Sequence, residues 1–260
     1  MPQTVSNLVT NWSSYATAMV LVMLRLSALV AFAPFYSSAA ISPRVKAVFV
    51  FAVSLLVAPA AAVLPGARHS LDLSAILGEL AVGLTFALSL AMLSEAVNFA
   101  GSLLGMEFSF SLVNLLDPNS RVDSPVLSEL LNWMTMLLIL SAGLHRTLLM
   151  AVVRSFAAVP VGSAVLLATS AHRLVQMAGD IFLSGLQLAA PVLAAALTVE
   201  VTVSLIGRLS PQLPVLFVSV PLKTMVSYLV LIASLAVWPG WVERHFNLLL
   251  DHAAGLLARG

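Results

Sequence analysis

The chain has 260 residues, of which 60% are hydrophobic and 9% charged, with a formal net charge of +1. Soluble domains carry about 25% charged and about 45 to 50% apolar residues; this composition excludes a water-soluble globule, and the mean hydropathy of +1.04 agrees. The near-neutral balance, without any run of Lys or Arg, excludes an electrostatic nucleic-acid surface, and the absence of cysteine excludes disulfides, thiolate nucleophiles and zinc–thiolate sites.

The composition predicts an all-α integral membrane protein of broken helices and helical hairpins. It forms a single domain over 1–260, because no Ser/Gly-rich or charged linker divides it. Crossing the roughly 30 Å hydrocarbon core takes about 20 apolar residues. Six stretches qualify, at 16–35, 45–64, 76–100, 126–144, 176–206 and 215–238. The first is expected to be retained rather than cleaved as a signal peptide. No basic residue precedes it, Arg25 sits inside it, and Pro34 would follow the cleavage point. An Arg at a helix centre costs about 2.5 to 3.5 kcal/mol on insertion scales, so this span inserts only marginally by itself.

After the Pro34–Pro43 turn and the second span comes the third, which carries Glu79 and Glu95. They are about 24 Å apart along a helix and point to nearly opposite faces, so they do not make one ion-conducting stripe. Residues 101–125 are polar and read as a loop. Gly101 and Gly105 form a GxxxG pair, Asp117-Pro118-Asn119-Ser120 is turn chemistry, and Ser124-Pro125 is a helix start. Phe108, Phe110, Leu112, Leu115 and Leu116 interrupt its polarity, with Asn114 among them. Residues 146–173 read as a connector with one or two short helices. Asp180 and Glu200 fall in the fifth span, and Pro211 and Pro214 break the chain before the sixth. Arg25, Glu79, Asp180 and Glu200 are expected to lack partners in the isolated chain. Lys and Arg divide evenly between alternate loops, so the positive-inside rule selects no orientation.

No HExxH, GxSxG, Walker or strand-borne GxGxxG motif occurs, and the five histidines are scattered. The expectation is no catalytic, cofactor or metal site, and no enzyme activity.

The ordered motifs resemble the FliR family of export-gate proteins, which the flagellum shares with type III secretion injectisomes. The resemblance rests on Arg25, Pro34 and Pro43-Arg-Val-Lys46, on Glu79-Leu-Ala-Val-Gly83, and on Gly101 to Pro118. Gly143-Leu-His145, Ser155-Phe156 with Val159-Pro160-x-Gly162, and Pro191 follow in order. The most specific piece is Arg208-Leu-Ser-Pro211-Gln212-Leu-x-Val-x-Phe217 followed by Pro221-Leu-Lys223. The chain departs from the pattern at Glu107, at Val199-Glu200 and at Pro214.

The resemblance implies a subunit of a pore-enclosing helical gate in the bacterial inner membrane, at the flagellar basal body. It would assemble with FliP and FliQ and be joined by FlhB and FlhA, in contact with membrane lipid and with unfolded substrates in transit. It further implies that residues 105–124, including Gly105, Phe108, Phe110, Leu112, Asn114, Leu115, Leu116, Asp117 and Pro118, plug the closed pore. An injectisome homologue of the same gate is the alternative. A secondary transporter or small channel, suggested by broken helices and buried charges, is another.

Overall fold

The computed structural model describes residues 2–38, 41–108, 126–164, 168–210, 212 and 215–258. Among them every regular element is a helix: α1 Pro2–Phe32, α2 Pro34–Ser37, α3 Pro43–Ala62, α4 Leu73–Glu107, α5 Val126–Ser141, α6 Leu144–Ala158, α7 Ala168–Leu209, α8 Val215–Ser234 and α9 Trp238–Ala258. In hydrocarbon an unpaired backbone amide costs several kcal/mol, and a helix satisfies its amides internally.

Among the described residues, four helices are long and apolar enough to cross a membrane: Trp12–Phe32 of α1, α3, α4 and Gly179–Leu209 of α7. The count rises to six if two bent pairs, α5 with α6 (68°) and Ser219–Ser234 with Trp238–Leu257 (60°), each make one span. Proline sets several boundaries. Pro34 and Pro43 stand in the first turn of α2 and α3, and the Ser42 hydroxyl accepts the Val45 amide at the start of α3.

Two expectations require correction. The helix α4 does not stop at Ala100 but runs to Glu107, so Gly101 and Gly105 are helical rather than part of a polar loop. The polar residues there ride on a helix whose other face is apolar, with Ala100, Leu104 and Phe108 buried. The second correction is α9, which no apolar span anticipated. Glu243, Arg244, Asp251 and His252 hide it from a hydropathy search, yet Trp241, Val242, Phe246, Leu250, Ala253 and Leu256 are buried at helical spacing.

The chain divides into two compact units, each discontinuous in sequence. The first comprises Met1–Met92, Gly143–Ala178 and His245–Gly260. In it α1 packs against α2 and α3, and α3 also meets α6. One stripe of α3 (Val50, Ser54, Ala58, Ala61) is buried, while Val45, Val48, Phe51, Leu55 and Leu56 face outward. The second unit comprises Leu93–Ala142 and Gly179–Arg244. Its core includes Leu93, Val97 and Leu104 of α4, Leu131 of α5, and Leu188, Val192 and Ala196 of α7. In this unit the Gly101 end of the GxxxG pair does what such pairs do. A Cβ there would collide with the Ser128 backbone of α5, and the Ser128 hydroxyl donates to the Asn98 carbonyl at 3.1 Å. Gly105 has open space beside it.

Candidate functional site

The first unit encloses two of the charges that stand inside the apolar stretches. Arg25, about three-quarters of the way along α1, and Glu79, in the second turn of α4, are both completely buried. The Arg25 Nε donates to the Glu79 Oε2 at 2.6 Å. Its Nη1 donates to the Ser155 Oγ of α6 at 2.9 Å, and its Nη2 to the Val159 carbonyl at 3.0 Å. The guanidinium carbon lies 4.0 Å from the centre of the Phe156 ring, a cation–π geometry.

The second carboxylate oxygen, Glu79 Oε1, accepts the Gly162 amide at 2.8 Å. Gly162 has φ +72, a left-handed conformation that L side chains rarely adopt, and a Cβ on it would meet the Arg68 carbonyl. The Arg68 amide in turn donates to the Val161 carbonyl at 2.8 Å. Gly83, one turn beyond Glu79, lets α4 lie so close to α1 that a Cβ would strike the Arg25 carbonyl oxygen.

Both charges are therefore paired and their hydrogen-bonding groups used, which a buried ion pair needs if Coulomb attraction is to offset desolvation. The expectation that Arg25 and Glu79 lack partners in the isolated chain is overturned: each is the other's partner. The two are 54 residues apart in sequence, with a whole apolar stretch between them, but a cation in one apolar stretch and a carboxylate in another were a signal that they meet. Ser155, Phe156, Val159 and Gly162, noticed in the sequence only as family pieces, complete the same network.

Nearby in the chain, the Pro34–Pro43 turn is closed by Lys46, whose Nζ donates to the Ser37 carbonyl at 3.0 Å. Tyr36 in this turn stacks on Phe49 with ring centres 5.6 Å apart. Burial pushes its phenol up to about 12.

The second unit holds a different cluster. Lys223 of α8 pairs with Glu107, at the end of α4, at 2.6 Å and also with Glu200 of α7. Glu200 is thus paired as well, whereas Asp180 is exposed. Glu107 and Glu200 are two of the positions at which the chain departs from the family pattern, and both meet a lysine that belongs to it. Next to Glu107, Phe108 stacks on Tyr228 with ring centres 4.3 Å apart.

The remaining motif residues are not gathered into either network. Arg208, Gln212 and Pro221 are exposed, and Phe217 falls within α8 by its backbone alone. Pro211 lies outside the described residues, as do Phe110, Leu112, Asn114, Leu115, Leu116, Asp117 and Pro118 of the expected plug. Of the segment 105–124 only residues 105–108 are described; Gly105 is helical, and Phe108 directly follows the helix. Among the described residues no group of three or more His, Asp or Glu is placed to hold a metal ion.

Residues 16–249 match the model of a family described as bacterial export proteins, family 1. Several relatives carry the name flagellar biosynthetic protein FliR. The one from Pectobacterium carotovorum subsp. carotovorum is 27% identical over 241 residues, covering 90% of each chain. That of Escherichia coli (strain K12) is 25% identical over 251 residues, covering 95% of each. That of Bacillus subtilis (strain 168) is 31% identical over 183 residues, covering 69% of this chain and 71% of its own.

Proposed function

Because the chain belongs to the bacterial export proteins, family 1, we propose that it is a core subunit of the flagellar type III protein export gate. In this reading it sits in the bacterial inner membrane at the flagellar basal body. With FliP and FliQ it forms the channel through which unfolded flagellar proteins leave the cytoplasm, and FlhB and FlhA join the gate. The observation that carries the reading is the family match over 16–249, with relatives named for flagellar biosynthesis along nearly their whole length. The geometry supports it from a second side. The family pieces Arg25, Glu79, Gly83, Ser155-Phe156, Val159 and Gly162 are far apart in sequence, yet they meet in one buried network.

Of the buried charges that suggested the transporter alternative, Arg25 and Glu79 are paired with each other, which weakens that part of its motive. Outward-facing apolar residues on α3, α7 and α8, among them Phe51, Leu197, Val201, Met225 and Leu229, suit a helical subunit surrounded by lipid and other helices.

The test is deletion of the gene in its own bacterium. Cells should lose motility and stop releasing flagellar filament protein into the medium, and the tagged wild-type chain should restore both while co-purifying with FliP and FliQ. Normal flagella in the deletion strain overturn the proposal. Loss of injectisome effector secretion with flagella intact would move the chain to the injectisome branch.

A further inference from the structure

The first unit contains a groove of about 340 Å³ that neither the buried ion pair nor the family match accounts for. Its walls are two helical stripes: Thr147, Met150, Ala151, Arg154, Ser155 and Ala158 of α6, and Asn247, Leu250, Asp251, Ala254 and Leu257 of α9. Phe86 of α4, completely buried, also lines it. The spacing on each wall repeats at three and four residues, so each stripe is one face of its helix.

From Thr147 to Ala158 the groove runs about 16 Å at 1.5 Å per residue. A slot of that length and volume has room for a single file of methylene groups.

The polar groups are as specific as the width. Arg154 on one wall and Asp251 on the other are both exposed, and among the described residues neither forms an ion pair. An apolar slot flanked by one cation and one anion suits a ligand with an apolar tail and a head bearing both charges. A guanidinium presents a planar fork to a phosphate, and a carboxylate accepts hydrogen bonds from an ammonium.

We propose that this groove binds a phospholipid with an ethanolamine head. One acyl chain lies between α6 and α9, the phosphate on Arg154 and the ammonium on Asp251. A choline head has no N–H to give Asp251, and a glycerol head sets the lipid's net negative charge against it. The small side chains Ala151 and Ala254 leave the space that the chain occupies. This inference is independent of the export reading, since it concerns what the groove holds and not what the assembly transports.

The experiment takes the full chain in the assembly in which it leaves the membrane, strips its lipid, and offers equal amounts of phosphatidylethanolamine, phosphatidylcholine and phosphatidylglycerol. Bound lipid is read by native mass spectrometry. The ethanolamine lipid should be retained about five-fold over the glycerol lipid, the factor that about 1 kcal/mol of exposed charge pairing gives. Asp251→Asn should abolish that preference, Arg154→Gln should weaken retention of all three, and Ala254→Phe should block the slot and remove binding. Equal retention of the three lipids by the wild type overturns the proposal, as does a preference that persists in Asp251→Asn or binding that survives Ala254→Phe. If Ala254→Phe fails to fold, the two charge variants, both at exposed positions, decide the matter alone.

Discussion

Arg25 shows why a charge can sit in the middle of an apolar helix. Its three nitrogens are all used, its charge is met by Glu79, and its flat face lies on Phe156. Removing one partner of such a pair leaves the other buried and uncompensated, which costs about 3 to 5 kcal/mol. Arg25→Ala should therefore destabilise the chain by about that amount, seen as a lower melting temperature and faster proteolysis in detergent. Arg25→Met with Glu79→Leu should recover most of the loss, because a packed apolar pair can replace a buried ion pair of similar volume. If Arg25→Ala melts with the wild type, the pair contributes nothing. Gly83→Ala probes the same place by packing. Its methyl group meets a backbone carbonyl that has no rotamer to escape into, at a cost of about 1 to 3 kcal/mol. A melting temperature unchanged by Gly83→Ala would show that α1 and α4 can separate there freely. The sequence exposed the two charges but not their partnership, because hydropathy weighs each residue alone while the pairing spans 54 positions.

At the scale of elements, the apolar stretches were legible wherever apolar content alone defines a helix. The expected 45–64 matches Pro43–Ala62, and 126–144 matches Val126–Ser141 followed by the bend into α6. Legibility failed where polar residues lie on one face of a helix. The last turns of α4 and the whole of α9 were lost that way, although the 3.6-residue rhythm of Trp241, Val242, Phe246 and Leu250 was present to be counted. The cluster at the end of α4 could not be foreseen either, since three separate helices supply Glu107, Glu200 and Lys223. Two carboxylates share one ammonium there, so the members are unequal. Lys223→Met strips both carboxylates of their cation, whereas Glu200→Gln leaves the Glu107–Lys223 pair intact and reduces the negative excess. All three side chains keep some exposure to solvent, so the effects are smaller than at Arg25. Lys223→Met should lower the melting temperature clearly, and Glu200→Gln should hardly move it. The opposite order would show that Glu200, not Glu107, is the anion that matters.

At the scale of the whole molecule, the chain divides into two compact units, each assembled from segments that alternate along the sequence, a division that a search for linker composition does not register. Under the proposed export-gate reading, something must keep ions out while the gate is closed, and the segment 105–124 is the place the sequence offers. It is too polar and too rich in turn residues to cross hydrocarbon, yet it carries Phe108, Phe110, Leu112, Leu115 and Leu116. Irregular backbone at membrane depth is tolerated where protein buries it or water surrounds it, and apolar side chains across a narrow pore hold it shut by dewetting. The entry to the segment is anchored: α4 persists to Glu107, which is ion-paired with Lys223, and Phe108 stacks on Tyr228. A deletion that begins at Phe110 therefore leaves the anchor in place. Removing Phe110 to Leu116 should let the assembly form in normal amounts while cells expressing it grow poorly and the purified complex conducts small ions in planar bilayers. Replacing the same seven residues with a Gly/Ser stretch of equal length should leak as well, since length is preserved but the apolar side chains are gone. If both variants assemble and conduct no more than the wild type, the segment is an ordinary connection between α4 and α5 and the closed state is sealed elsewhere.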